Sequence, residues 1–596
     1  MSALTRYVGL PIPLDGGYRG DVPPIFLEGH AETCPLNDSP EMLNCIFHNG
    51  RNRKWPGRVK YCAKPVLGGV GLDTAAAVVL IQAFPLSSGS SVLVVSDGRD
   101  LWRYYNSTED DWLCITRLYV TGTATFTPDS ATVTGADTLW SSAEIVPGAA
   151  IKCDADGEWY EILSVEADGE IILTAPYAET GGAGKAYTIR CRLSSTGRDW
   201  VRATVARELF LVVNGVDAPL KWDGDTEAME LLATGAPKGR FITSYHQENL
   251  LVIARHESDA RLLAHSDVDD YAEWGDGYAA DYPFRATPGM IMGVDGVAES
   301  LYLFKQDGVF EGRWTGSFTR MQWSQFTGVT DGPIAAKSLL RWGNFWGYFG
   351  EASIYAFDGH EELDIGEAVR EWVFGEDGLD RAYADRVVGV IQPRWNLAIW
   401  TFPITGSEGV PARTVAYDYK RGRWYRSDSG YVAMGEHDLS REDVQWDSLS
   451  GSMDAQTRIF DSLGTVPEPV ILVSDTEGYV YYLAWGVNDN GRPISAHRRT
   501  PLVRIGGPGR ATEIEKVVVD TTARAGTRCV VSLYGSENGI EPGLLKARAV
   551  TVSAAGELTA YFRQAPTWAA VQVANEQSNE ELGVISATIF QKARGR

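Results

Sequence analysis

The stretch HSDVDDYAEWGDGYAADY, from His265 to Tyr282, concentrates carboxylates that could do chemistry. Its aspartates are Asp267, Asp269, Asp270, Asp276 and Asp281. Carboxylate and carbonyl oxygens spaced in this way could hold Ca²⁺. A run of like charges is also typical of a solvated loop. We therefore interpret the stretch first as solvated acidic surface and keep a Ca²⁺ site as the alternative.

Defining motifs of the common reaction classes are absent from the sequence. It has no GxxxxGK[ST] phosphate loop, HExxH zinc motif, EF-hand loop or GxSxG nucleophile elbow. Only His256 and His265, in one predicted hairpin, could converge on a metal. A retaining glycosidase needs two carboxylates about 5 Å apart, and SDGRDLW at Ser96 matches the sialidase box only loosely. The sequence predicts no enzyme, metal or cofactor.

The net charge of −24 limits the possible partners. Wrapping around nucleic acid requires clustered Lys and Arg, so that function class is disfavoured. A run of about 18 apolar residues that could span a bilayer is absent, and MSALTRYVGLPIPLDGG does not have the pattern of a signal peptide. Assembly in the cytoplasm is the expectation. The seven cysteines lack CxxC spacing and are expected to be buried thiols.

Aromatic-rich strands that end in a turn recur along the chain. The turns are Asp97-Gly98, Asp223-Gly224, Asp276-Gly277, Asp307-Gly308, Asp358-Gly359, Arg421-Gly422 and Glu477-Gly478. Most are separated by roughly 30 to 65 residues, a range that includes the usual length of a propeller blade. Each strand is short and closed by Gly, Asp or Asn, as in antiparallel meanders. The pattern predicts an all-β chain whose main part is a β-propeller of about six or seven blades.

The domain organisation follows from interruptions of this repeat. The one long gap contains short alternating strands over 120–189, which predict an inserted small β-barrel, and the repeat fades after 492. The predicted domains are an N-terminal docking segment, the two parts of the propeller, the barrel between them, and a C-terminal β-sandwich-like domain: 1–60, 61–119, 120–189, 190–492 and 493–596. Helix is scarce, and IGEAVREWVFGED at Ile365 is the clearest helical pattern.

Two alternatives concern the packing of this β-rich chain. A pair of β-sandwiches without cyclic order would also contain many short strands. The recurring tryptophans could form a platform that stacks on a ligand, but packing between blades is favoured because large aromatic side chains bury the most area. They are Trp102, Trp222, Trp314, Trp346 and Trp424.

The N-terminal stretch LPIPLDGGYRGDVPPIFLEGHAETCPLNDSPEMLNCIFHNGRNRKWPGR combines a Gly-Gly turn, Pro23-Pro24, Asn44 and a basic-aromatic step that ends in Pro56-Gly57. This order resembles the opening of the tail tubular protein B family, the nozzle proteins of short-tailed bacteriophages. There, a Gly-Gly, a double Pro, an Asn and a G-L-x-x-R-P-G step precede a β-propeller. This chain departs from the family at Lys54-Trp55, which stands before Pro-Gly in place of Arg. Packaged-DNA stabilisation proteins of other short-tailed phages are similar.

The resemblance implies a structural virion protein of the phage tail, assembled in the host cytoplasm. Nozzle proteins form a six-fold homo-oligomeric ring below the portal and adaptor, retain the packaged genome and conduct it out at ejection. The implied partners are the adaptor ring, tail fibres or spikes, the bacterial cell envelope and genomic double-stranded DNA. The net charge of −24 fits an acidic lumen, which repels phosphate and lets the duplex pass without sequence-specific binding.

Three sets of residues are candidates for these tasks. A gate loop is predicted in RWTGSFTRMQW, with Arg313, Trp314, Phe318, Arg320 and Trp323. An acidic channel loop is predicted at Asp267, Asp269, Asp270 and Asp276. Adaptor docking is predicted at Arg53, Lys54, Trp55 and Pro56. The basic segment HRRTPLVR at His497 either faces a neighbouring subunit or the adaptor, or is a solvated linker.

Two other function classes stay open. A carbohydrate-active propeller, such as a tail-borne depolymerase, needs a groove with paired carboxylates and aromatic platforms. A cellular propeller scaffold would bind peptides. Oligomeric state separates these classes, because a nozzle makes or joins rings whereas an enzyme or a scaffold can work alone.

Overall fold

The computed structural model describes residues 8–28, 30, 32–87, 91–105, 111–194, 201–316, 320–329, 331–439, 468–485, 488–506, 512–577 and 580–593. Within these residues, seven sheets each contain four antiparallel strands, and in six of them the four strands are consecutive in the sequence. Repeated four-stranded meanders are the blades of a β-propeller. The predicted fold class is confirmed, with seven blades. The strand pairing does not support the alternative of two β-sandwiches without cyclic order.

The blades follow the chain in order, and blade 7 takes its outer strand from the N-terminal region. Blades 1 to 4 consist of Leu80–Pro85, Ser91–Ser96, Leu101–Tyr105 and Asp111–Cys114; Arg202–Ala206, Leu209–Val213, Leu220–Trp222 and Glu230–Leu231; Gly239–Tyr245, Leu250–His256, Leu262–His265 and Ala280–Pro283; and Ile291–Val297, Ser300–Lys305, Gly308–Trp314 and Met321–Gln325. Blades 5 to 7 consist of Leu340–Trp342, Phe345–Phe349, Ile354–Phe357 and Glu362–Asp364; Val388–Gln392, Leu397–Pro403, Pro411–Asp418 and Arg423–Ser427; and Met434–Leu439, Glu468–Ser474, Val480–Ala484 and Gly57–Lys60.

The repeated Asp-Gly turns have a local physical cause. The Asp97 carboxylate accepts hydrogen bonds from the backbone N–H groups of Arg99 (2.8 Å) and Asp100 (2.7 Å). Gly98 between them has a φ of +92°, a conformation that costs glycine little. The same arrangement recurs at Asp358, whose carboxylate accepts from the two residues after Gly359. The carboxylate thus satisfies backbone donors that the tight turn leaves unpaired.

The insertion forms an eight-stranded arrangement between blades 1 and 2. Its strands, in spatial order, are Leu118–Tyr119, Tyr187–Arg190, Ala150–Cys153, Trp159–Ala167, Glu170–Leu173, Thr132–Ala136, Thr123–Phe126 and Gly182–Lys185. The long strand Trp159–Ala167 pairs with both neighbouring strands and shifts register twice, which lets the sheet curve. A core that includes Phe126, Trp140 and Tyr187 fills the interior. This is the inserted small barrel that the sequence predicts over 120–189.

Two six-stranded sheets form the β-sandwich. One contains Val8–Pro13, Cys45–His48, Arg51–Lys54, Thr512–Thr521, Glu557–Gln564 and Val584–Ala593; the other contains Glu41–Leu43, Ala496–Arg499, Val503–Arg504, Arg528–Ser536, Gly543–Thr551 and Trp568–Asn575. The predicted sandwich begins at residue 493 and leaves 1–60 as a separate segment. The structure differs, because strands of the N-terminal segment are members of both sheets. Pairing between the two ends of a chain leaves no local mark in the sequence.

Helices and short hairpins complete the described structure. Glu367–Val369 is a 3-10 turn that continues into the α-helix Arg370–Phe374, at the site of the predicted helical pattern. The other helical segments are Ala336–Ser338 and Arg381–Arg386, and the two-stranded hairpins are Leu67–Gly68 with Thr74–Ala75 and Asn488–Asp489 with Arg492–Pro493. Within the described ranges, each helix is too short or too polar to cross a bilayer.

The chain divides into two compact units. Unit 1 comprises Met1–Val59, Lys337–Tyr431 and Tyr482–Arg596, and contains blades 5 and 6 and the sandwich. Unit 2 comprises Lys60–Ala336 and Val432–Tyr481, and contains blades 1 to 4 and the barrel. Four of the five recurring tryptophans are buried in these cores, as the packing interpretation predicts: Trp102, Trp222, Trp346 and Trp424.

Candidate functional site

The predicted acidic loop and the predicted gate loop lie at the same end of two neighbouring blades. The acidic loop joins the third and fourth strands of blade 3, and the gate loop joins those of blade 4. In an antiparallel meander, the turns after the first and third strands emerge at one end. We call the described residues of these turns, 245–250, 265–280, 297–300, 314–316 and 320–321, the loop surface. Phe318 lies outside the described residues.

Hydrogen bonds connect the two blades at the loop surface. The Arg320 guanidinium donates to the carbonyl of Gly277 at 3.0 Å, which joins the gate loop to the acidic loop. The Tyr245 hydroxyl accepts from the backbone N–H of Trp314 at 3.0 Å and donates to the carbonyl of Glu299 at 2.6 Å. The two candidate sets are therefore parts of one connected surface of unit 2.

Trp314 and Trp323 are packing residues of this surface. The Trp314 ring lies 5.8 Å from that of His265 and 6.1 Å from that of Tyr278, measured between centroids. The Trp323 ring meets Phe284 edge to face at 4.7 Å. Both tryptophans are only partly exposed. Their side chains join blade 3 to blade 4, so they are not free to project as a gate in this conformation.

Arg313 is the most exposed of the described gate residues. Its side chain is 68% exposed, and its guanidinium contacts the carboxylate of Glu311 at 2.9 Å. The hydrogen bond to Glu311 raises the pKa of Arg313, so this side chain stays cationic. An open groove of about 620 Å³ lies beside it, lined by His246, 297–300, Tyr302, Arg313 and Trp314.

Most carboxylates of the acidic loop stabilise the loop itself. Asp267 accepts hydrogen bonds from the backbone N–H groups of Val268 and Tyr278, both at 2.8 Å. Asp270 accepts from a nearby backbone N–H at 2.9 Å, and Asp269 forms an ion pair with Arg207 from blade 2. Asp269, Asp270 and Asp276 are nevertheless exposed. The loop presents negative charge to solvent in a fixed conformation.

Metal binding at this loop lacks a suitable ligand set. Across the described ranges, no group of three or more His, Cys, Asp or Glu side chains is placed to hold an ion. The Nδ1 of His265 lies 2.8 Å from the carbonyl of Ser266, and the Nε2 of His256 lies 3.3 Å from that of Ile253. One nitrogen of each ring therefore lies within hydrogen-bond distance of a backbone carbonyl of its own hairpin.

The predicted adaptor-docking residues lie mostly in the interior of unit 1. Trp55 is 1% exposed, and its Nε1 donates to the hydroxyl of Tyr431 at 3.2 Å. Lys54 is also buried, and its ammonium donates to the carbonyl of Gln577 at 3.0 Å. Pro56 is buried, and Arg53 alone is partly exposed. Direct docking by these side chains would therefore fall to Arg53.

Asn44 is the centre of the N-terminal motif. Its Nδ2 donates to the Asp428 carboxylate at 2.6 Å and to the Ser495 carbonyl at 2.7 Å, while its Oδ1 accepts from the Ser427 hydroxyl at 2.7 Å. Its backbone carbonyl accepts from the N–H of Trp55 at 2.8 Å. A side-chain amide suits this position because it donates and accepts at once. One residue thus joins the N-terminal segment, the end of blade 6 and the approach to the sandwich.

The basic segment at His497 is also internal. Arg498 is buried and donates to the carbonyls of Gly16 at 3.0 Å and Asn37 at 2.7 Å. The Nε2 of His497 lies 3.3 Å from the Glu41 carboxylate. The expectation that this segment faces another subunit or forms a linker is corrected for these two side chains, because they hold the N-terminal strands of the same chain.

Sequence reasoning missed a buried ion cluster in unit 2. The Asp100 carboxylate contacts the Nε atoms of Arg190 at 3.0 Å and Arg192 at 2.9 Å, and all three side chains are buried. Arg190 also donates to the carbonyls of Gly69 and Val70, both at 2.8 Å. A sequence signal for this cluster does exist, because Asp100 precedes the predicted insertion while Arg190 and Arg192 directly follow it.

Comparisons with known proteins give weak structural similarities. The chain matches no family model and no curated protein. It is similar to the Neurospora crassa Pan2 WD40 domain, with 8% identity, 61% of this chain and 88% of that chain covered, and a TM-score of 0.28. It is also similar to Kluyveromyces lactis Hsv2, with 12% identity, 59% of this chain and 97% of that chain covered, and a TM-score of 0.24. A third similarity is to an exo-beta-1,3-galactanase from Phanerochaete chrysosporium with galactose, with 9% identity, 65% of this chain and 95% of that chain covered, and a TM-score of 0.20. At such TM-scores these similarities carry no argument, and the propeller assignment rests on this chain's own strand pairing.

Proposed function

We propose that this chain is a structural protein of the tail nozzle of a short-tailed bacteriophage. In this role, copies of the chain form a ring below the portal and adaptor. The ring retains the packaged genome and conducts it out at ejection. The observation that carries the proposal is the hydrogen-bonded centre at Asn44, because Asn44 is one of the residues on which the resemblance to nozzle proteins rests.

The motif residues have physical reasons to occur in this order. Asn44 has a φ of +51°, which asparagine tolerates better than most residues. Gly57 lies so close to Asn488 that a Cβ atom would fall 1.9 Å from the Asn488 carbonyl oxygen. Lys54 and Trp55, where the chain departs from the family, are buried, and the N–H of Trp55 donates to the Asn44 carbonyl at 2.8 Å.

The loop surface is the proposed lining of the channel. A ring of six would carry six times the charge of −24, which would repel DNA phosphates from the lumen. Within this surface, the groove beside Arg313 is proposed to face the duplex, and the exposed Asp269, Asp270 and Asp276 are proposed to lie at the edge between neighbouring copies. The duplex would then pass without sequence-specific binding. Because Trp314 and Trp323 are packed, Arg313, whose side chain is 68% exposed, is the described residue left as a candidate for the proposed gate.

The inserted barrel is the proposed contact for tail fibres or spikes. It exposes large apolar side chains at Val120, Leu139 and Leu163, which are 61%, 54% and 57% exposed. Exposed apolar residues are the usual anchors of protein interfaces when they are adjacent. Contact with the bacterial envelope would then pass through the fibres rather than through the propeller.

Electron microscopy of the purified full-length chain tests the proposal. Negative-stain images and mass determination would be recorded for the chain alone and mixed with the portal and adaptor proteins of the same phage. We expect six-fold rings with a central pore, at least in the mixture. A chain that stays monomeric in both samples contradicts the nozzle proposal. Hydrolysis of a bacterial polysaccharide by that monomer would instead favour the carbohydrate-active class.

A further inference from the structure

A cluster of cations surrounds two tryptophans in unit 1 of this acidic chain. We call it the basic-aromatic patch, and its members are His48, Arg53, Arg394, Trp395, Arg421 and Trp485. The Trp485 ring is stacked on His48 at 4.8 Å and lies 4.6 Å from the Trp395 ring, between centroids. The Arg53 guanidinium lies 5.4 Å from the same Trp485 ring.

The elements of blade 6 explain why the patch is compact. Arg394 and Trp395 lie in the turn between its first and second strands, and Arg421 lies in the turn between its third and fourth. These two turns emerge at the same end of the meander. Lys420, in the second turn, adds another exposed cation.

The electrostatic environment of His48 shows that these cations act together. Burial lowers the pKa of His48 most, and the charges of Arg53, Arg421 and Arg394 lower it further. Arg421 is paired with the buried Asp418 at 2.9 Å. The Nε of Arg53 is buried without a hydrogen-bond partner among the described residues. Among the described residues, Asp418 and Glu581 are the carboxylates beside these groups. Against them stand Arg53, Arg394, Lys420 and Arg421, so the region is net positive although the chain as a whole carries −24.

We propose that the basic-aromatic patch docks against the acidic loop of blade 3 on a second copy of this chain. The inference rests on the proposed function, because it names the two surfaces through which neighbouring copies meet in the ring. The acidic loop exposes Asp269, Asp270 and Asp276, and Asp281 is exposed in the strand that follows it. One chain thus carries both halves of a charge-complementary pair. A contact between two different surfaces of identical chains is heterologous, and such contacts form a ring when the rotation between successive copies closes.

The composition of the patch fits a protein interface. Tryptophan and arginine are enriched among the residues that contribute most to binding energy, and they cluster at the centre of interfaces. Electrostatic complementarity guides association and fixes its orientation. A patch of this composition also suits single-stranded nucleic acid. The charge of −24 disfavours that occupant, since the rest of the surface repels phosphate at long range.

Charge reversal on each surface tests the inference. One variant carries Arg394→Glu and Lys420→Glu, and the second carries Asp276→Lys and Asp281→Lys; all four positions are exposed. A combined variant carries all four changes and has the net charge of the wild type. Arg548→Glu with Arg563→Glu, at exposed positions of the sandwich, is the control that makes the chain equally more acidic.

Self-association would be measured by sedimentation velocity on the full-length chains, and by ring counts with portal and adaptor present. We expect each single-surface variant to associate about tenfold more weakly than the wild type, and the combined variant to recover to within about threefold. The sandwich control should match the wild type. High salt should weaken association of the wild type, since it screens exposed charges.

The outcomes separate this inference from the proposed function. Wild-type rings that survive both single-surface reversals contradict the inference and leave the nozzle proposal intact. A wild type that stays monomeric in every condition contradicts both. If a fluorescent single-stranded oligonucleotide binds the wild type and not the Arg394→Glu/Lys420→Glu variant, while self-association is unchanged, the patch belongs to nucleic acid and the inference is overturned.

Discussion

The carboxylate of Asp100 and the guanidinium of Arg190 form an ion pair inside unit 2, with Nε 3.0 Å from Oδ1 and side chains that are 0% and 2% exposed. Asp100 directly precedes Leu101–Tyr105, the third strand of blade 1, and Arg190 ends the last strand of the inserted barrel. Arg192 completes the cluster on the other carboxylate oxygen. The barrel is therefore joined to blade 1 by buried charge as well as by the short segment that connects Cys114 to Leu118.

Asp100→Asn should strongly destabilise unit 2. It leaves two buried guanidinium groups without their anion, and breaking a buried pair in this way costs about 3–5 kcal/mol. The control is Glu144→Gln, which removes the partly exposed pair with Lys238 at 2.8 Å and should cost less than about 1 kcal/mol. Urea unfolding of both full-length variants measures the difference. Equal losses of unfolding free energy in the two variants would contradict the view that the buried cluster stabilises the contact between the barrel and blade 1.

Two buried tyrosines of unit 1 should respond oppositely to loss of the hydroxyl. The Tyr431 hydroxyl accepts from Trp55 Nε1 at 3.2 Å, so Tyr431→Phe leaves a buried donor unpaired and should cost about 1–2 kcal/mol. The Tyr425 hydroxyl is buried without a partner among the described residues. Tyr425→Phe should therefore be neutral or stabilising. Denaturation midpoints of the two variants provide the comparison, and a larger loss for Tyr425→Phe would contradict it.

Stability should fall as the pH drops below about 6.5, the usual pKa of an imidazole. Burial lowers the pKa of His265 in the folded chain; Arg320 lowers it further, while the Ser266 carbonyl, Asp281 and Asp267 oppose the shift. The unfolded chain therefore takes up this proton at a higher pH than the folded chain does. The contribution of the neutral His265 ring to stability is fully present above the pKa that His265 has in the unfolded chain. It is lost as the pH falls towards the lower pKa that His265 has in the folded chain.

His265→Gln should reduce this acid loss, although the variant is less stable at pH 8 because the ring is fully buried. His256 and His48 also have pKa values lowered by burial, so part of the pH dependence should stay. Unfolding midpoints between pH 8 and pH 5 would be compared with those of His360→Gln, which removes an exposed imidazole. If the unfolding midpoint of His265→Gln falls with pH as steeply as that of the wild type, the assignment of the acid loss to His265 is contradicted.

The thiols of the folded chain should react slowly. Six of the seven cysteines are buried, and Cys114 is partly exposed. Burial raises the pKa of Cys34 and Cys45 to about 12 and that of Cys191 and Cys529 to about 11. Because the thiolate is the reactive form, Ellman's reagent at pH 8 should detect few thiols in the native chain and all of them in guanidinium chloride. Rapid reaction of most thiols without denaturant would contradict this burial.

The sequence predicts the propeller because its signals are local. Turns such as Asp97-Gly98 combine a capping carboxylate with a glycine of positive φ, and both features are visible in the residue types. Pairing between the ends of the chain is not local. Val8–Pro13 pairs with Val584–Ala593, and neither segment carries a mark that names its partner. The sandwich was therefore predicted without its N-terminal strands.

Residue type alone also could not settle the candidate sites. Trp314 suits a gate and a packed interface equally well, and only its ring contacts with His265 and Tyr278 decide for packing. Lys54 and Arg498 are cations that would ordinarily face water. Both are buried with backbone carbonyls as partners, which a sequence pattern does not reveal.

The shared sheets of the sandwich impose an order on biosynthesis. A ribosome releases the first residues of this chain long before Val584–Ala593, yet Val8–Pro13 needs that last strand as its neighbour. Until that strand has emerged from the ribosome, Val8–Pro13 lacks its partner and exposes an unpaired edge, which is prone to associate with other chains. Folding of the sandwich is therefore completed only after this strand has emerged, and nascent chains cut short before it should depend on chaperones to stay apart.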